Sequence, residues 1–200
     1  MNYLAHAYLS FHHPQILVGN MISDHVKGKQ QFNYSKEIQQ GIQLHRAIDS
    51  FTDLHPSTKE AKKIFNIELG LYSGAFVDIV YDYYLANDSS IFKTENELQN
   101  FTQEAYMELK NHVNIFPEKF KNIFPCMMAQ NWLYNYRTNF GIEQSLRGLT
   151  NRAKYINKNH QGFQIFLNNK NELQTFYTDF MKDVISFSKN KKQEMVNLYP

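Results

Sequence analysis

Apolar residues recur along this chain at intervals of three and four, and strict alternation is scarce, which predicts helices and little strand. The first helix is predicted over about Asn2 to Phe11. Pro14 suits the first turn of the second, and Gly28 its C-terminal end. The stretch QQFNYS reads as a loop. The helix containing GIQLHRAIDSFTDL stops near Leu54, because Pro56 disfavours α geometry at His55. Ser57 and Glu60 have the spacing of a capping box for a short basic helix, Lys59 to Phe65. An apolar helix follows over Leu71 to Ala86, then a loop over Asn87 to Phe92. A second capping box, Thr94 to Glu97, opens a long helix reaching about Val113. Pro117 and Pro125 punctuate the next turns, and Pro125 is expected to start a helix carrying Trp132 and Tyr136. Gly141 marks a break before a helix over Ile142 to Tyr155. Leu173, Phe176, Tyr177, Phe180, Met181, Val184 and Phe187 form one stripe of the last helix, and the basic SKNKKQ after them is expected to fray. The class is all-α, a single-domain helical bundle over residues 1–200.

Four predicted helices share a second pattern: polar, cation-competent residues one turn apart. These are Asn2 with His6, Asn20 with Asp24, His45 with Asp49 and Asp53, and Asp78 with Asp82. One such stripe alone suits a solvated face. The pair in AFVDIVYDYYL does not, because Phe76, Val77, Ile79, Val80, Tyr81 and Tyr84 leave little room for water. Ionised carboxylates there need an ion-pair partner or a cation. Histidine and carboxylate without a thiolate cluster suit Mn²⁺, Mg²⁺, Fe²⁺ or Zn²⁺ better than a structural zinc site. A cation so held acidifies water and neutralises phosphoryl charge. Arg46, beside His45, is a natural phosphate clamp. The spacing therefore points to a metal-dependent phosphohydrolase.

Composition narrows the classes. With 42% apolar residues, 13 Tyr and 16 Phe, the chain can build a large core. A net charge of +2 does not argue for nucleic acid. The one cysteine, Cys126, excludes an internal disulfide and reads as a small buried hydrophobe. No basic n-region opens the sequence, and no apolar run approaches the roughly 20 residues that span a bilayer. The expectation is a soluble cytoplasmic protein with no membrane contact. No Walker-type or Rossmann glycine motif suggests a nucleotide cofactor. His12, His13, His25, His55, His112 and His160 read as surface or capping residues. In NWLYNYR, Trp132, Tyr134 and Tyr136 read as core and Arg137 as a surface arginine.

MNYLAHAYLS, LVGNMISDHVKG, GIQLHRAIDSFTDLHP, FVDIVYDYYLA, QNWLYNYR and GIEQSLRGLTNRAKY together resemble, in order, the acyl carrier protein phosphodiesterase family. The resemblance implies an all-helical cytoplasmic enzyme related to the HD-type metal phosphohydrolases. It implies a divalent cation, typically Mn²⁺, and removal of the 4′-phosphopantetheine arm from holo-acyl carrier protein. His6, Asn20, Asp24, His45, Arg46, Asp49, Asp53, Asp78 and Asp82 match the family pattern. Two positions depart from it. Tyr83 stands where the family commonly has His, and the aromatic that usually follows the LA(R/N) stretch is absent from LANDSSIF. These departures bear on substrate contact, not on the cation site.

On this reading His6, Asp24, His45 and Asp78 hold the cation that activates water, and Arg46 stabilises the developing negative charge. Asp49 or Asp82 delivers a proton to the leaving serine oxygen. Lys59, Lys62 and Lys63, extended by Lys27 and Lys29, would steer an acidic carrier. Two other classes share the pattern: an HD-like phosphohydrolase acting on a small phosphate ester or nucleotide, and a non-catalytic helical protein that binds an acyl carrier.

Overall fold

A computed structural model describes residues 1–153 and 161–197, and among these every regular element is helical. In order they are α1 (Tyr3–Tyr8), α2 (Pro14–Ile22), α3 (Lys36–Leu54), α4 (Pro56–Leu69), α5 (Ser73–Ala86), α6 (Glu95–Lys110), α7 (Glu118–Ala129), α8 (Trp132–Asn135), α9 (Asn139–Arg152), α10 (Gly162–Asn168) and α11 (Lys170–Asn197). Helices α4 and α11 pack on each other and on both α3 and α5, α2 lies along α3, α1 wedges between α2 and α5, and α9 covers α5. The fully buried side chains of Leu4, Ile42, Phe65, Phe76, Tyr81 and Phe180 fill the space between them.

Several boundaries differ from expectation, each for a local reason. Helix α1 ends early because Phe11 and His12 take left-handed geometry, with φ of 51° and 54°, and reverse the chain. Helix α2 tightens into a 3₁₀ turn over Ser23–His25, and a second turn, Gly28–Asn33, occupies the expected loop. Gly28 opens that turn rather than closing α2. Helix α4 starts at Pro56 and is capped by the imidazole of His55, which accepts from the Ser57 N–H at 3.2 Å. Glu60 is taken up by Lys63 instead of a capping box. Thr94 caps α6 as expected, accepting from the Glu97 N–H. Helix α6 stops at Lys110, and a 3₁₀ turn carries Val113. Pro125 lies inside α7 at an exposed position, where it removes one helical N–H donor. Gly141 sits in the first turn of α9, where a Cβ would come within 1.9 Å of the Asn135 carbonyl. Tyr155, the predicted end of α9, and His160 lie outside the described residues. The basic SKNKKQ segment is helical within α11, with Ser188 fully buried and the Met195 carbonyl accepting from Gln40 Nε2.

By length and composition alone, one run, Pro56–Ala86, is apolar enough to cross a membrane, contrary to the sequence reading. Gly70, with φ of 49°, breaks it into α4 and α5, which fold back and pack together.

The closest packing in the bundle is the α2–α3 crossing. A Cβ on Gly19 would lie 2.1 Å from the Ile38 carbonyl oxygen, and one on Gly41 would lie 2.4 Å from that of Ile16. The clashing atoms are backbone, so no side chain can move aside. Gly41→Ala is expected to cost about 3 kcal/mol, which lowers Tm by roughly 6–12 °C in a domain of this size. A Cβ on Gly148 meets nothing within 4 Å, so Gly148→Ala should melt at or above the wild-type temperature. Equal melting of the two variants, followed by circular dichroism, would show that the crossing tolerates a side chain.

Candidate metal centre

The crossing brings Asn20 and His45 together. Asn20 follows Gly19, and His45 lies one turn beyond Gly41. His45 Nδ1 donates to the Asn20 backbone carbonyl at 2.7 Å. His6, on α1, places its Nδ1 2.8 Å from Asn20 Oδ1. Asn20 Nδ2 donates to the His6 carbonyl at 2.8 Å and to Ser10 Oγ at 3.1 Å, which fixes the amide with its oxygen toward His6. Both imidazoles therefore carry their proton on Nδ1 and turn Nε2 the other way. The rings stack at 3.8 Å, 14° from parallel.

Asp49 meets both Nε2 atoms. Its Oδ1 lies 3.2 Å from His6 and its Oδ2 lies 3.1 Å from His45. Asp24 Oδ1 also lies 3.1 Å from His45 Nε2. The two histidines are 2% and 4% exposed, whereas Asp24 opens to solvent. Burial, aided by the positive charge on His45, lowers His6 to about 4, so it is neutral near pH 7. Burial also pulls on His45, but its hydrogen bonds to Asp24 and Asp49 prevail and raise it to about 9. Burial opposes ionisation of Asp49, yet the hydrogen bond from charged His45 and the Met1 ammonium hold its carboxyl far below the usual range.

This arrangement fits a divalent cation. His6 Nε2 is buried and makes no hydrogen bond, although a carboxylate oxygen lies close to it. A neutral nitrogen's lone pair then faces an anionic oxygen, a repulsion that a cation relieves. One donor atom from each of His6, His45 and Asp49 lies within 4.8 Å of the others. Asn20 supports both imidazoles from behind, as outer partners of metal-bound histidines do.

Other expected site residues sit elsewhere. Asp82 is fully buried, and its two oxygens accept from the Leu4 and Ala5 N–H groups at 2.8 and 3.1 Å. It caps α1 from α5, so its oxygens are not free to serve a reacting group. Burial lifts its carboxyl to about 7 despite those two donors. Asp78 is half-buried and lies 3.1 Å from the Met1 ammonium, which also approaches Asp49 at 3.4 Å. The ammonium, not the histidine cluster, is the nearest charge that Asp78 meets. Arg46 points away, because one residue along a helix turns about 100°. Its guanidinium donates to Gln31 Oε1 and the Val26 carbonyl and braces the segment after Asp24. Asp53 pairs with Lys62 at 2.7 Å; eight residues beyond His45, it has drifted roughly 80° around the helix. Asn2 donates to Tyr136 Oη at 2.9 Å.

The family model described as acyl carrier protein phosphodiesterase matches residues 1–184. The chain belongs to the acyl carrier protein phosphodiesterase family. It is similar to the protein of that name from Photorhabdus laumondii subsp. laumondii, 28% identical over 90% of this chain and 87% of that one. It is also similar to those of Yersinia enterocolitica, 31% identical over 76% and 79%, and Pectobacterium atrosepticum, 28% identical over 96% and 100%. No solved structure matches the chain.

Tyr83 turns toward α10 and α11. Its hydroxyl accepts from Lys170 Nζ at 2.7 Å, and its ring packs on Phe166. Of the expected carrier-binding lysines, Lys62 is paired with Asp53 and Lys63 with Glu60. Cys126 is exposed rather than buried. His13 and His55 cap α2 and α4 as expected. Tyr136 is core, and Arg137 pairs with Glu95 at 2.6 Å.

Sequence reasoning missed a cleft of about 1180 Å³ that begins at Asp24 and His25 and runs along α7, α8 and α9. Trp132, Lys119 and Arg152 line it. These residues are far apart in the chain, and no local spacing relates them to Asp24.

The two classes of acidic residue should separate experimentally. Asp82→Ala leaves two buried N–H groups without their charged acceptor, a cost of about 3 kcal/mol. Asp24→Ala removes a solvent-facing carboxylate whose histidine keeps Asp49, so its Tm should stay within about 2 °C of wild type. The comparison is made by thermal melts without metal. A larger loss for Asp24→Ala than for Asp82→Ala contradicts this assignment.

Proposed function

We propose that this protein is a divalent-cation-dependent phosphodiesterase that cleaves 4′-phosphopantetheine from the serine of holo-acyl carrier protein, leaving the apo carrier. The observation that carries this reading is a cluster of two buried histidines and a half-buried aspartate inside a chain of the acyl carrier protein phosphodiesterase family. His6, His45 and Asp49, with Asp24 at the solvent side, would hold the cation, and Mn²⁺ suits this donor set, with Mg²⁺ or Fe²⁺ as alternatives. Bound there, it would supply an acidified water and charge neutralisation at the phosphoryl group.

The chain's own residues do the rest. Asn20 keeps both Nε2 atoms directed at the site by holding the Nδ1 protons. Asp24 is the cluster residue open to solvent, so an incoming ester meets it first. Asp49 would serve as a cation donor, its two oxygens facing His6 and His45, while Asp82 spends both oxygens on α1 and holds the helix that carries His6. Arg46 holds the segment behind Asp24 and acts on the site through it, not as a phosphate clamp. Lys59, with Lys62 and Lys63 partly neutralised by acids, offers the carrier less positive charge than the sequence suggests. Lys119 and Arg152, on the cleft that starts at Asp24, are better placed to meet an anionic carrier. The same reading places the enzyme in the cytoplasm with its carrier.

Incubation of holo-acyl carrier protein with the enzyme and Mn²⁺, followed by intact mass spectrometry, tests the reaction. Wild type should convert the carrier to its apo mass. His45→Ala and Asp49→Ala should each lose at least about 100-fold in kcat/KM, because each removes a group held at the cation. A carrier mass unchanged by wild type with Mn²⁺, Mg²⁺ or Fe²⁺ refutes the reading.

Cation binding should also be linked to protons. His45, raised to about 9, must lose its Nε2 proton to hold a cation. Below that value protons compete, so Mn²⁺ affinity should rise with pH by about tenfold per unit toward pH 9. Near neutrality one proton should leave per cation bound. Titration calorimetry in two buffers of different ionisation heat counts that proton. Affinity that stays flat between pH 6 and 8 removes His45 Nε2 from the site.

A further inference from the structure

The cleft beside Asp24 is far larger than a cation and a phosphoryl group require, and its size is above the usual range for small-molecule sites. The geometry points to this cleft as the seat of the pantetheine arm, an inference that rests on the phosphodiesterase reading above. Three observations carry it.

The first is continuity. Asp24 belongs both to the cluster, through His45 Nε2 at 3.1 Å, and to the cleft wall. A phosphodiester that reaches the histidines has its chain directed along the cleft. The second is the chemistry of the lining. A pantetheine chain is flexible and uncharged, with two amides, a hydroxyl and a branched hydrocarbon segment. Ile79, Ile123 and Phe140 offer apolar wall, and Asn122, Gln144 and Ser145 offer amide and hydroxyl partners. Asp24 is the one acid among the described lining residues. The third is the placement of charge. Lys119 acts electrostatically on His25, and Arg152 acts on Tyr3, as Asp24 does on both. Both cations thus share electrostatic neighbours with Asp24, beside which the phosphate lies when the chain runs inward. Two cations for the phosphate and neutral amide and hydroxyl groups among the other lining residues match the make-up of the arm.

Gly148 makes the inference testable. It lines the cleft from α9, and a Cβ there meets nothing within 4 Å, so a large side chain can enter without displacing backbone. Trp132, the chain's one tryptophan, lines the same cleft and reports its occupancy. The probe is free 4′-phosphopantetheine, titrated into the Mn²⁺-loaded protein by calorimetry while Trp132 emission is followed. Wild type should bind saturably with a change in emission, and Gly148→Phe should weaken binding at least about tenfold. Mn²⁺ affinity of Gly148→Phe, measured alongside, should equal wild type and so show that the cluster is intact. No binding by wild type up to about 1 mM overturns the proposal. So does binding that neither alters Trp132 emission nor responds to Gly148→Phe. The holo-carrier assay separates the two readings. A wild type that strips the carrier but fails these binding tests keeps the phosphodiesterase reading and loses the cleft. A wild type that binds the arm beside Trp132 but leaves the carrier intact keeps the cleft and loses the hydrolysis.

Discussion

The contact between Gly19 and Gly41 governs the centre of this protein. With no side chain at either position, α2 and α3 meet backbone to backbone, and an added Cβ on either would be within 2.5 Å of a carbonyl oxygen. Glycine in a helix interior costs about 1 kcal/mol relative to alanine. Here that cost secures an approach that no other residue permits. The backbone carbonyl of Asn20 reaches the ring of His45 because the helix axes are this close.

From that contact the electrostatics of the cluster follow. Asn20 uses its backbone carbonyl on one histidine and its side-chain oxygen on the other. The two stacked rings then present the same edge to Asp49, yet they differ in charge. His45 touches two carboxylates and is raised, whereas His6 is more deeply enclosed, adjoins the charged His45 and is lowered. Two imidazolium ions 3.8 Å apart in a dry site would repel strongly. One charged and one neutral ring around a shared carboxylate avoids that repulsion.

The remaining acids show how similar sequence signals come to mean different things. Asp78 and Asp82 sit one turn apart on α5, in an apolar context that demands partners for both. Asp82 finds them in the first N–H groups of α1, and so fixes the helix that carries His6. Asp78 finds the Met1 ammonium, raised to about 10 because Asp78 and Asp49 outweigh its burial. The α1 segment is thus tied at its start by α5 and at His6 by α2. A six-residue helix holds its place through these bonds rather than through its own length.

By itself the sequence determined the all-helical class, the extent of α3, and the stripe that puts His45 and Asp49 on one face, because helical periodicity and proline sterics act within a few residues. It also determined that carboxylates in the apolar α5 must be compensated, since that cost depends on the immediate neighbours. Tertiary structure alone decided which partner each acid received. Asp49 joined the histidines, Asp82 became a helix cap, and Asp53 went to Lys62. It decided that Arg46 braces a turn and that Lys119, Trp132 and Arg152 share a cleft with Asp24. Spacing along one helix states which residues share a face. What that face meets depends on how closely and at what angle other helices approach, and in this chain two glycines set that approach.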